Sequence, residues 1–196
     1  NDYELLGKVL KEKNSNFLFL GRFPVHLNKT YFDNKEGGIE PGLWDYSYVS
    51  KGIYKDIETS FSFEILKLSK NNKIIFIYPI PEVGWNFPQK LFNQMPKNFS
   101  FEKNYFIPKT RITTSYEIYK ERTKTSFDLL NSIQNKNIFR IYPHKVFCDN
   151  PIKNRCTTHD EDNIYYSDNN HPSAKGSEMI NNLIFNELKK FNIISN

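Results

Sequence analysis

An α/β sandwich built on a parallel sheet is the fold class that this sequence predicts, and two observations predict it. Three short apolar runs, NFLFLGRF (16–23), KIIFIYPIP (73–81) and NIFRIYP (137–143), are continuous rather than alternating. Continuous runs are what strands covered on both faces require. Longer segments with apolar residues at helical spacing lie around these runs, and helix–strand alternation of this kind stacks helices on a sheet. Ligands of such sheets bind beyond the carboxyl ends of the strands. Function is therefore expected in the loops that begin at Gly21, Pro79 and Pro143.

Each element has its own signal. Residues 2–13 put Tyr3, Leu6 and Leu10 on one helical face, with Val9 beside them. The run 16–23 reads as a strand ending near Gly21. Residues 24–57 form a long excursion with Gly37-Gly38, Pro41-Gly42 and several aromatics. Residues 60–72 predict a helix, 73–81 the most apolar strand, and a second excursion runs to Lys109. Residues 114–135 predict a helix with Tyr116, Tyr119, Thr123, Phe127, Leu130 and Ile133 inward. The strand 137–143 follows, then a loop with two cysteines, then a helix over 172–191 with Ile180, Leu183, Ile184, Leu188 and Phe191 inward.

At 196 residues, with neither repeat nor Gly/Ser linker, the chain is read as one domain over 1–196. A 38% hydrophobic and 16% aromatic composition excludes a disordered chain. No apolar run approaches the roughly 18 residues of a membrane span. The net charge of +5 comes from lysines spread along the chain, with no basic block for nucleic acid. Cys148 and Cys156 lie in FCDNPIKNRC, a segment with loop chemistry. Two cysteines with His144 and His159 at irregular spacing do not make a zinc site. A disulfide pinning the loop is the better reading over two unpaired thiols, and it implies an oxidising compartment.

The chemistry-bearing stretch is YYSDNNHPSAKGSEMI, residues 165–180. Asp168 and His171 stand three apart in a polar turn that belongs to the loop after the third strand. This is either a turn and nothing more or the acid–base half of a nucleophilic site, which needs a base of near-neutral pKa for the nucleophile's proton and a carboxylate to orient its ring. A three-residue spacing lets one turn carry both. The two side chains are expected to meet within about 3.5 Å at the carboxyl edge of the sheet. No Gly-Asp-Ser motif and no G-x-S-x-G elbow occurs: Ser15 precedes a strand, and Ser47, Ser60, Ser100 and Ser126 fall in loops or helices.

Taken together, NFLFLGRFP, IIFIYPIPEVGWNFPQKL, FRIYPHKVFC and the cysteine pair followed by DNNHPSAKG resemble the SGNH-type domains fused to membrane acyltransferase-3 proteins. That resemblance implies a three-layer α/β/α sandwich and assigns charge-relay and general-base roles to Asp168 and His171. Pro172 stands where the family usually has leucine, and its position suits the first residue of the helix. The family's nucleophile lies in a Gly-Asp-Ser motif after its first strand. This chain opens at Asn1 without methionine, inside a probable helix. The N-terminal strands, with the serine, are therefore expected outside it, the chain being the C-terminal portion of the domain. The asparagine that helps hold the oxyanion in classical SGNH enzymes is missing after the first strand. A backbone amide near Gly21 or the Arg22 guanidinium is an alternative donor, with Arg22 as a structural ion-pair partner the competing reading. Glu82 and Trp85 are candidates for an acceptor pocket, with a core aromatic an equal reading of Trp85; Trp44 could cover the site as a lid, though a packed loop is the better reading.

The resemblance implies O-acetyl transfer to a hydroxyl of a cell-surface carbohydrate through an acyl-serine. The chain would bind no metal and no cofactor directly. The acetyl group, ultimately from acetyl-CoA, would arrive from a membrane acyltransferase domain on the same full-length polypeptide. The setting would be extracytoplasmic, tethered to the membrane. An esterase of the same fold and an inactive glycan-binding domain stay open as alternatives.

Overall fold

The computed structural model describes residues 7–42, 54, 56–95, 111–150 and 152–195. Residues 2–6 of the first predicted helix, together with Trp44, Ser47 and Ser100, lie outside them; Gly7–Val9 are helical. Strands β1 (Asn16–Phe19), β2 (Lys73–Ile77) and β4 (Ile138–Ile141) form a parallel sheet in the order β1-β2-β4. Its register pairs Phe17 with Ile74 and Ile75 with Phe139. This is the predicted parallel α/β arrangement.

Helices cover both faces. On one, Ile74 and Phe76 pack with Ile65 and Leu68 of α2 (Ile57–Leu68) and with Leu129 and Leu130 of α4 (Tyr116–Ser132). On the other, Ile75, Ile77 and Ile141 pack with Leu183, Ile184 and Leu188 of α6 (Ala174–Lys190). Four consecutive β2 residues, Ile74 to Ile77, are buried. Each contributes roughly 1.5–3 kcal/mol of transfer free energy, which explains why this run is continuous rather than alternating. The helices start where side-chain oxygens can take orphan amides: Asp56 accepts from Thr59 N at 2.7 Å, Ser115 from Ile118 N at 3.3 Å, and Ser173 from Gly176 N at 3.1 Å.

Several expectations need correction. The run 16–23 is a strand only to Phe19, and Phe23–Asn28 form a short helix, α1, because Pro24 suits a first helical turn and cannot donate to a sheet. The strands 73–81 and 137–143 stop at Ile77 and Ile141. Helix α6 begins at Ala174 rather than Pro172, since Ser173 takes the cap and Pro172 bridges to Tyr166. Helices α3 (Phe87–Phe92) and α5 (His144–Phe147) lie within stretches read as loop. A small antiparallel sheet joins β3 (Thr113–Ser115), which takes the first two residues of the helix expected from 114, to β5 (Arg155–Thr157) in the cysteine loop. Its three-residue strands are polar, and Arg155 holds them by donating to the Thr113 carbonyl and hydroxyl.

The strand β1 is unevenly covered. Phe17 and Phe19 join the α2–α4 core, whereas Leu18 is 51% and Leu20 57% exposed. Among the described residues, the sheet face that α6 covers over β2 and β4 is thus bare over β1.

Candidate active site

Beyond β1 the chain runs through Leu20, Gly21 and Arg22; beyond β2 it runs through Pro79-Ile80-Pro81-Glu82. Two buried tyrosines set the second of these loops. Tyr119 Oη donates to the Pro79 carbonyl at 2.8 Å, and Tyr166 Oη to the Pro81 carbonyl at 2.7 Å. Burial raises both phenols, so they stay protonated donors. These hydrogen bonds hold the alternating prolines and aim Glu82 at the cleft.

The turn that carries Asp168 and His171 docks on the same edge. Upstream, the Cys148–Cys156 disulfide closes the hairpin leading into it, with both cysteines buried in a core cluster alongside Phe147, Tyr165 and Tyr166. Tyr165 N donates to Thr158 O at 2.9 Å and Ser173 N to Tyr165 O at 2.9 Å. The turn is closed by Ser167 N on His171 O at 2.9 Å. It is clasped from the β2 side by the amides of Val83 and Gly84, which donate to Asn169 O at 3.0 and 2.9 Å. Gly84 has φ +78, and a β-carbon there would stand 2.6 Å from Gly38 O, so this clasp requires glycine.

Within the turn, Asp168 Oδ1 accepts from the amides of Asn170 (2.9 Å) and His171 (2.7 Å), and Oδ2 lies 2.7 Å from His171 Nδ1. Burial pushes the Asp168 carboxyl up, but these amides and the His171 ring outweigh it and hold it below the usual carboxylate range. An ionised Asp168 only accepts, so Nδ1 carries the proton and Nε2 has the free lone pair. Nε2 has no protein partner among the described residues. The imidazole is 69% exposed and open to a reactant.

His171, Asn170 and Pro172 line a cleft of about 190 Å³ with Leu20, Gly21, Arg22, Pro24, Pro79, Ile80 and Glu82. This is the carboxyl edge of the sheet. No serine, threonine or cysteine is among those lining residues.

A family profile described as "SGNH domain (fused to AT3 domains)" matches residues 4–185. The chain belongs to this family. No curated protein matches it. Among solved structures it is similar to one described as the Salmonella ser. Paratyphi A lipopolysaccharide acetyltransferase periplasmic domain. The identity is 22%, over 75% of this chain and 54% of that one, with a TM-score of 0.46. It is also similar to the salicylyl-acyltransferase SsfX3 from a tetracycline biosynthetic pathway, at 13% identity over 71% of this chain and 34% of that one, TM-score 0.30. The chain spans about half the length of the first structure and a third of the second.

In this SGNH domain the other candidate residues fall in different places. Gly21 lines the cleft, where an added β-carbon would meet nothing nearer than Phe23 at 4.0 Å. Arg22 lines it too, but its terminal nitrogens are engaged: Nη1 and Nη2 donate to Glu40 at 3.0 and 2.7 Å, and Nη2 also to Glu82. Glu82 in turn pairs with Arg122 Nε at 3.0 Å. Burial works against the Arg22 charge, and the two carboxylates more than offset it. Trp85 is not among the lining residues of this cleft. It packs on Gly38 and the core cluster, with Lys90 Nζ 4.8 Å from its ring centroid. His159, buried, donates from Nδ1 to the Asp160 carbonyl at 2.8 Å and accepts from Ile112 N at 2.9 Å through Nε2. Glu40, Asn170 and Arg122 were not singled out from sequence. Glu40 sits in a Gly/Pro-rich loop, and only the folded chain brings it to Arg22. Among the described residues no cluster suits a metal ion, and no helix is long and apolar enough to cross a membrane.

Proposed function

We propose that this domain carries the acid–base half of an O-acyltransferase that acetylates a hydroxyl of a cell-surface carbohydrate. The observation that carries the reading is the 2.7 Å contact between His171 Nδ1 and Asp168 Oδ2, on a cleft at the carboxyl edge of the sheet. His171 Nε2 takes the proton of a serine hydroxyl as it attacks the acyl donor, then returns it to the leaving group. Asp168 fixes the ring and stabilises the imidazolium. The acyl-serine is resolved by the sugar hydroxyl with the same imidazole as base. Residues 1–196 form the C-terminal portion of the domain.

The serine is supplied by a segment outside this sequence. Support comes from the cleft, whose lining among the described residues includes no serine, threonine or cysteine, and from β1. Leu20 is exposed, lines the cleft and continues the bare side of that strand. A segment that covers β1 therefore passes beside His171. An unpaired strand edge is a template for such pairing. The acetyl donor reaches the cleft from a membrane acyltransferase domain on the same polypeptide, and the domain works extracytoplasmically, in keeping with its disulfide.

The test is His171→Ala in the full-length protein, with O-acetyl methyl signals of the surface glycan read by proton NMR. Those signals are expected to vanish while the protein is still produced and folded. Normal acetylation would reject His171 as the base. Transfer and hydrolysis measured side by side separate a transferase from an esterase.

A further inference from the structure

We propose that Glu40 and Asn170 are positioning residues for His171, a role that rests on the catalytic reading above. The hydrogen bonds to Asp168 are local: they shape the turn and do not tie it to the rest of the molecule. The clasp on Asn169 O is one tie to the frame. The Asn170 side chain is another, donating through Nδ2 to Glu40 Oε1 at 3.0 Å. Asn170 also gives its backbone amide to Asp168 at 2.9 Å and is the residue next to His171. Its displacement moves both members of the pair.

Glu40 makes a firm anchor. It is 8% exposed, and a carboxylate has about four acceptor positions. All four are used: Oε1 accepts from Arg22 Nη1 and Asn170 Nδ2, Oε2 from Arg22 Nη2 and from Phe32 N at 3.3 Å. Arg22 is locked in turn by Glu82, and Glu82 by Arg122 of α4. The turn is therefore tied to a charged frame drawn from the loops after β1 and β2 and from a core helix. A buried carboxylate needs this full set, because an unpaired one is costly. Glu40 is not among the residues lining the cleft, and its hydrogen bond to the turn that carries His171 is the one from Asn170.

The experiment uses the full-length protein in detergent with p-nitrophenyl acetate as acyl donor, giving kcat and KM separately. Asn170→Ala and Glu40→Gln are each expected to lower kcat about tenfold or more with KM little changed, as misplaced catalytic groups do. The double variant should lose little more than the worse single one, because the two act in series. Glu36→Gln, in the same loop but paired with Arg155, should keep the parent kcat. A folded Asn170→Ala protein with the parent kcat overturns the proposal, and so does full additivity. If Glu40→Gln fails to fold, Asn170→Ala decides. Loss of turnover in His171→Ala with unchanged kcat in Asn170→Ala removes the positioning role alone; unchanged turnover in His171→Ala removes the catalytic reading and this role with it.

Discussion

Gly176, on the first turn of α6, packs against the backbone of Tyr165 so closely that a β-carbon at position 176 would overlap the Tyr165 carbonyl oxygen. That carbonyl also accepts the Ser173 amide, so the helix start and the segment entering the Asp168–His171 turn share one contact. Elsewhere in a helix, glycine to alanine gains up to about 1 kcal/mol. Here Gly176→Ala is expected to cost about 1–3 kcal/mol, the range for overpacking against atoms that cannot retreat. Denaturant unfolding of the parent and variant checks it; a stabilised variant would sink the idea.

Asp168 is predicted to matter for rate more than for binding. Asp168→Asn keeps the shape of the turn but removes the charge that faces the imidazolium. A fall in kcat of roughly 10²-fold or more is expected, with KM near the parent value. The pH dependence follows from the lowered folded carboxyl. Such a group adds stability above its unfolded value of about 3.9 and loses it as pH falls through the lower folded value. The variant should therefore unfold with a weaker acid-side dependence. An unchanged acid limb would count against the hydrogen-bonded geometry.

His144 predicts a second pH effect, away from the site. It is 9% exposed, and its ring centroid stands 5.4 to 6.0 Å from those of Tyr116, Tyr119, Phe127 and Tyr142. Its Nδ1 is buried without a partner. Burial, with a smaller push from Lys145, lowers it from 6.5 to about 4. Folding thus favours the neutral ring. The associated stability is fully present above pH 6.5 and is lost as pH falls from 6.5 towards 4. The loss amounts to roughly 3 kcal/mol. His144→Phe should flatten the stability curve over that window by one proton; an unaltered slope would refute it.

The location of the nucleophile can be mapped directly. When the full-length protein is treated with a serine-directed fluorophosphonate and digested, the modified peptide is expected to lie outside residues 1–196. Labelling of any serine within them, Ser60 or Ser126 included, would overturn the assignment of the serine to another segment.

By itself the sequence determined the layered α/β architecture. Runs such as IIFI at 74–77 are apolar at consecutive positions, and only a strand covered on both faces buries them all. It also determined the disulfide and the closeness of Asp168 to His171, because eight- and three-residue separations are local and turn chemistry limits the geometry. The ends of strands and helices were less legible, since Pro24 and Ser173 decide them through single hydrogen bonds rather than through periodicity. What only the tertiary structure decided are the contacts between residues distant in sequence. Arg22, Glu40, Glu82, Arg122 and Asn170 meet across as many as 148 positions, 22 to 170, in one hydrogen-bonded frame. Nothing in the spacing of a lone glutamate in a loop predicts that frame. Trp85 turned onto Gly38 and the core for the same reason: an aromatic goes where the largest apolar area is removed from water, and the folded chain alone defines that place.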